Sequence, residues 1–273
     1  MILVTGGDGF VGRQVVRSLA KKRHPLRLVL RNGSSTSIPL EHGVHVIETP
    51  DLFQAKPSWW KSVLDGVDTV IHLAWYTEPG KYLDSDQNVT CLKGTIDLAH
   101  ASIQAGVRRF VGVGTCFEYD LDVGTVTTDT PLKPQSLYAA CKASAFLVLS
   151  QLLPSLGVHF AWCRLFYLYG EGEDPRRLVP YLRRQLSAGE PAELTSGTQI
   201  RDFLDVREAG ELIAEAALGH RQGPINICSG VPVTVRQLAE EIADEFGRRD
   251  LLQFGARQDN LFDPPRVVGV REP

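Results

Sequence analysis

Residues 2–16 read "ILVTGGDGFVGRQVV": a four-residue apolar run, a turn with glycines at 6, 9 and 12, and the opening of a helix-period segment. In a strand–turn–helix unit, such glycines let the backbone turn sharply and approach a pyrophosphate closely. The phosphate charge then meets the free N–H groups of the helix N-terminus. Gly6, Gly9 and Gly12, with Phe10 and Val11 between them, are therefore candidate dinucleotide contacts. A glycine triplet alone also fits a tight turn without a ligand; its place directly after a first strand is what favours the dinucleotide.

From this unit onward, short apolar runs alternate with longer segments of helical period: "LRLVL", "VHVIE", "DTVIHLA", "NVTCLKGTIDLAHASIQAG", "RRFVGVG". That order predicts βαβ units, hence an α/β fold with a doubly wound parallel Rossmann sheet and helices on both faces. A helix is expected from about Pro134 to Leu156, a sixth strand at "FAWCRLF" and another strand at "PINIC". Two further helical segments, "DPRRLVPYLRRQLSAGE" and "VTVRQLAEEIADEFG", suggest a small C-terminal lobe, the second opened by Thr234 and Gln237 as a capping box. The expected division is 1–166 plus about 202–228 for the Rossmann domain, and 167–201 with 229–273 for the lobe.

The chain has 273 residues, 43% of them hydrophobic, and a net charge of −3. It is long enough to bury a full core. No basic face points to nucleic acid, and no polybasic or amphipathic segment points to a membrane surface. The N-terminal apolar run is too short for a signal sequence or a membrane span, so a cytoplasmic location is expected. Five cysteines without a C-x-x-C spacing suggest buried free thiols and no zinc site. The histidines show no metal spacing, and no metal is expected.

The second strand ends "LVLRNG", which places Arg31 where an NAD-selective site would carry a carboxylate for the ribose hydroxyls. A guanidinium suits a 2′-phosphate, so NADP is the expected cofactor with NAD as the alternative. Arg31 pointing to solvent is the other reading, and Arg13 is a candidate to share the phosphate.

"SLYAACK", residues 136–142, sets Tyr138 one helical turn before Lys142. Alone, the pair is equally a surface aromatic beside a solvated charge. Together with "TGGDGFVG", "DTVIHLA", "NVTCLKGT", "RRFVGVGT", "RLFYLYG" and "RDFLDV", in order along nearly the whole chain, it resembles the extended short-chain dehydrogenase/reductase family, the NAD-dependent epimerase/dehydratase branch. The resemblance implies a Rossmann domain holding NAD(P), with Leu73 and Ala74 beside the cofactor, and a lobe holding a nucleotide-diphosphate sugar. It also implies hydride chemistry at a sugar carbon and homodimerisation through the helices of "NVTCLKGTIDLAHASI" and "SLYAACKASAFLVLSQLL".

The resemblance makes Tyr138 the proton donor or acceptor, Lys142 its electrostatic partner and a ligand of the nicotinamide ribose, and Thr115 the hydroxyl holding the substrate oxygen. A cation about 4 Å away at an effective dielectric of 20 is worth about 4 kcal/mol, roughly three pKa units in favour of a phenolate. Arg201 matches an arginine that grips the sugar-linked pyrophosphate, and Arg257 is a second candidate clamp. Tyr167 stands where many members have Asn, so it is expected in an altered sugar or phosphate pocket. His72 and Asn88 are read as structural.

Four chemistries share the resemblance. A 4,6-dehydratase needs an added acid and base after the threonine, where this chain has Cys116 and Phe117, although Glu118 follows. A 3,5-epimerase/reductase needs a cysteine at the place of Phe117. A 4-ketoreductase and a 4-epimerase remain, and Arg31 favours the reductase. A non-enzymatic NADP-binding sensor is the competing class, weakened by the retained Tyr138, Lys142 and Thr115. The family usually continues past the "DPP" element, so the sugar lobe is expected to be short at its C-terminal end.

Overall fold

The computed structural model describes residues 1–34, 43–260 and 263–272. The element order is β1 (Ile2–Thr5), α1 (Gly12–Lys21), β2 (Leu26–Arg31), β3 (Val44–Thr49), α2 (Pro57–Val63), β4 (Thr69–His72), α3 (Gln87–Gln104) and β5 (Arg109–Thr115). Then come β6 (Thr125–Val126), α4 (Leu137–Ser155), β7 (His159–Leu165), β8 (Tyr167–Tyr169), α5 (Leu178–Ala188), β9 (Ala192–Leu194) and β10 (Ile200–Asp205). The chain finishes with α6 (Val206–Leu218), β11 (Gly223–Ile227), β12 (Pro232–Thr234), α7 (Val235–Phe246), β13 (Leu252–Phe254) and β14 (Arg266–Gly269).

Seven strands form one sheet in the order β11-β7-β5-β4-β1-β2-β3, every pairing parallel. The strand order reverses between β1 and β4, and a crevice beyond the carboxyl ends of a doubly wound sheet opens at such a point. The central strands are buried on both faces because each face carries its own core. Val15, Val16 and Leu19 of α1 pack with Ile213 and Ala214 of α6 on one side. Trp60, Leu98, Leu149 and Phe160, from α2, α3, α4 and β7, pack on the other.

The smaller lobe is built from a sheet ordered β12-β10-β14-β6, with β8 also on β10, and from α5 and α7 closing over the β9–β13 pair. The expected capping box is present: the Thr234 hydroxyl accepts from the Gln237 N–H, and the Gln237 side chain accepts from the Thr234 N–H at 2.8 Å. The expected domain division at 201/202 falls inside β10, which belongs whole to the lobe sheet. β6 also leaves the first domain to pair with β14.

α4 is the one described helix long and apolar enough to cross a membrane by length and composition, with 44% of that window buried in the protein. Its inner face carries Tyr138, Lys142, Ala145 and Leu149 against the sheet, while Leu147 and Val148 stay exposed. All five cysteines are buried free thiols.

Candidate active site

The glycine loop sits at the strand-order reversal. Gly6 has φ +69°, and a Cβ there would lie 2.8 Å from the Ala74 amide nitrogen; a Cβ at Gly12 would lie 1.9 Å from the Gly6 carbonyl oxygen. The loop therefore closes on the Leu73–Ala74 segment and on itself only because side chains are missing. Gly9 is exposed at its rim, leaving backbone open above the start of α1. This cradle fits a pyrophosphate. Arg13 binds the carbonyls of Gly9 at 3.3 Å and Asp8 at 3.1 Å, so it braces the loop.

Arg31 ends β2, exposed and without a side-chain partner among the described residues. Its register partner is Thr49, and Thr49, Asp51, Lys56 and Trp59 line an open groove after β3. Arg31 thus ends β2 in register with a residue that lines this groove.

His72 is structural. Thr95 donates to the Cys91 carbonyl at 2.7 Å, so its oxygen accepts from His72 Nε2–H at 2.9 Å. His72 Nδ1 then accepts from the Thr5 hydroxyl at 2.8 Å, and that oxygen takes the Ala74 N–H at 3.3 Å. The chain of donors assigns a neutral imidazole. Burial, aided by the Lys142 charge, pushes its pKa down to about 3.

Thr115, the last residue of β5, and Tyr138, in the first turn of α4, are brought together. The Tyr138 ring meets Tyr82 edge-on at 4.9 Å and Trp75 at 6.5 Å. The Thr115 hydroxyl sits near enough to favour the Tyr138 phenolate, short of hydrogen-bond geometry. Burial outweighs that effect and raises the Tyr138 pKa, with the Tyr82, Glu118 and Cys116 charges acting in the same direction. This corrects the sequence expectation that Lys142 lowers it. The Lys142 ammonium points elsewhere, donating to the Val113 carbonyl at 2.6 Å and lying 3.8 Å from the Trp75 ring centre. Burial brings its own pKa down to about 7, opposed by Glu118.

Glu118 follows Thr115 in a short turn yet is fully buried. Its carboxylate accepts from the Thr115 N–H at 2.8 Å, the Trp162 indole at 3.1 Å and Arg164 Nε at 2.7 Å. A carboxylate held by three donors, one of them a buried guanidinium, is a structural anion.

Arg201 is 3% exposed and lies 5.2 Å over the Tyr167 ring. Its Nη2 is 2.6 Å from Asp263 of the "DPP" element without forming a hydrogen bond. Tyr167 in turn meets Phe117 and Phe203, so Arg201, Tyr167 and the residues after Thr115 share one wall. Arg257 is not part of it: its guanidinium contacts Tyr181 and Glu193 on the exposed side of the lobe. Asn88 is fully buried and accepts the Trp75 indole N–H at 2.8 Å.

Trp75 and Tyr82, which box the Tyr138–Lys142 pair, are absent from the sequence reading. An aromatic pair in the loop after "HLA" was the available signal, and periodicity does not report on loops.

The NAD dependent epimerase/dehydratase family profile matches residues 2–228. The dTDP-6-deoxy-L-talose 4-dehydrogenase (NAD(+)) of Aggregatibacter actinomycetemcomitans is 23% identical over 274 residues, covering 99% of both chains. A dTDP-glucose 4,6-dehydratase of Streptomyces griseus is 30% identical over 90% of this chain and 78% of its own length. Among solved structures, a UDP-N-acetylglucosamine 4-epimerase from Methanobrevibacter ruminantium superposes with a TM-score of 0.87 at 22% identity, over 99% of this chain and 89% of that one. This last likeness establishes the shared fold.

Proposed function

The chain belongs to the NAD dependent epimerase/dehydratase family and is an enzyme of the short-chain dehydrogenase/reductase type, and on that premise we propose that it is a 4-ketoreductase of nucleotide-diphosphate 4-keto-hexoses. The observation that carries this reading is the state of Glu118. Dehydration across C5 and C6 needs a second acid and base beside the threonine. Cys116 and Phe117 do not supply them, and Glu118 is committed to Arg164, Trp162 and the Thr115 backbone. Tyr138 and Thr115 are then left to handle the proton.

A bound nicotinamide dinucleotide supplies the capacity for hydride transfer. Tyr138, kept protonated by burial, gives its proton to the oxygen on C4 as that carbon gains a hydride, so ketone, hydride and proton balance to an alcohol. Thr115 donates to the same oxygen as charge builds on it. Lys142 would hold the ribose of the dinucleotide. Arg201 lies on the wall that would face the sugar-linked diphosphate, its fork exchanging Asp263 for phosphate oxygens.

We take the cofactor to be NADP on the strength of Arg31 beside the groove after β3, the substrate to be the sole ligand of the lobe, and the protein to act in the cytoplasm as a homodimer. The end-to-end match to a 4-dehydrogenase supports the redox reading. The fold shared with a 4-epimerase supports the alternative, in which the ketone is an intermediate and NAD is retained.

The test mixes the protein with NADPH or NADH and dTDP-4-keto-6-deoxyglucose and follows absorbance at the reduced nicotinamide band. Stoichiometric oxidation, slowed about 10²–10⁴-fold in Tyr138→Phe, is expected, with Arg31→Asp moving preference from NADPH toward NADH. Interconversion of C4 epimers with tightly held NAD and no net oxidation would establish the epimerase instead.

A further inference from the structure

Trp75 is unused by the reaction described above, yet it makes the nearest aromatic contact to Lys142. The indole leaves the end of β4 and is fixed at its rim, where Nε1–H donates to the buried Asn88 at 2.8 Å. Its face lies 3.8 Å from the Lys142 ammonium, and its edge meets the Tyr138 ring at 79°. Trp162 of β7 is farther off, at 6.0 Å. Among the described residues the ammonium has one hydrogen-bond acceptor, the Val113 carbonyl, so much of its surface rests on the indole.

We propose that Trp75 is the positioning residue for Lys142, a π-face that holds the ammonium charged and fixed against the Val113 carbonyl in place of a second polar acceptor. The proposal rests on the reading of Lys142 as the ligand of the dinucleotide ribose. A cation over an indole face is attracted by the ring quadrupole, most strongly where water is excluded. Lys142 is 3% exposed, and burial alone opposes its charge. The other groups acting on it are Glu118 from the turn after β5, Cys91 from α3 and His72 of β4. Glu118 is itself paired with Arg164, and His72 is neutral. Trp75 is therefore the contact whose removal changes the charge of Lys142 without adding or deleting an ion.

Two measurements on the full chain test this. Trp75 emission, obtained by subtracting the Trp75→Phe spectrum from wild type, should titrate near pH 7 and lose that transition in Lys142→Met. The affinity for NADPH and NADH, measured calorimetrically from pH 5.5 to 9, should fall above a midpoint that moves down by about one pH unit in Trp75→Leu and by less in Trp75→Phe. A Trp75 emission independent of pH would overturn the contact. An unmoved binding midpoint in a folded Trp75→Leu protein would overturn the positioning role. Neither readout needs sugar turnover, so inactivity toward every keto-sugar would sink the proposed reaction and leave this inference standing.

Discussion

Replacing Glu118 separates a structural anion from a catalytic one. Its carboxylate is fully buried, and its partner Arg164 is 1% exposed. Arg164 Nη2 has no hydrogen-bond partner, and the guanidinium is otherwise flanked by the rings of Tyr119 and Phe146, each 4.4 Å away. Glu118→Ala would strand that cation in an apolar setting, which costs about 3–5 kcal/mol for a buried pair broken on one side. At about 2–3 °C per kcal/mol for a chain of this size, the melting temperature should fall by roughly 6–15 °C. Glu118→Gln keeps an acceptor for the Thr115 N–H or the Trp162 indole and should lose part of that. Adding Arg164→Met to Glu118→Gln removes the orphaned charge and should recover stability relative to Glu118→Gln alone. The assay is thermal denaturation followed by circular dichroism, paired with turnover measured well below the transition. Activity should decline with stability, because the same carboxylate fixes the Thr115 backbone. An unchanged melting temperature with abolished turnover would refute the argument and return Glu118 to the role of an acid or base in dehydration.

Three further outcomes are expected. His72 has a folded pKa well below its unfolded value, so the unfolded chain takes up the proton first: its contribution is complete above about pH 6.5 and should be lost toward pH 3 at about 1.4 kcal/mol per pH unit. Urea titrations at pH 7.5, 5.5 and 4.5 should show the gap between wild type and His72→Gln narrowing with acid; parallel curves would count against a neutral buried imidazole. Gly12→Ala should weaken dinucleotide binding at least tenfold by calorimetry, since its Cβ meets the Gly6 carbonyl at 1.9 Å and the cradle must open; unaltered affinity would mean the dinucleotide does not use this loop. Leu147→Glu, 55% exposed on α4, should convert a dimer to a monomer in gel filtration with little change in melting temperature, whereas a wild-type monomer at micromolar concentration would dispose of the dimer.

What the sequence made legible follows from which interactions are local. The glycine turn, the alternation of strand and helix and the capping box at Thr234 are set by neighbours within a few residues, and each appears where the pattern places it. α6 escaped the reading although Asp205 caps it and its small inward residues, among them Ala209, Gly210 and Ala214, pack tightly on α1. β10 was divided between two domains because a six-residue strand carries no mark of which sheet will pair with it; the partners β12, β14 and β8 come from distant parts of the chain.

The site divides along the same line. Spacing alone put Tyr138 and Lys142 on one helix face, and from that spacing it was reasonable to expect the ammonium to act on the phenol. The direction of a lysine head five bonds from its Cα is decided by whatever polar or aromatic surface awaits it, here Val113 and Trp75 from β5 and the loop after β4. Glu118 illustrates the converse: in sequence it is a carboxylate near the threonine that ends β5, and only Arg164, 46 residues later, turns it into part of the scaffold. Whether this carboxylate is free to act on a substrate is therefore decided less by its neighbours in sequence than by a distant partner that binds it.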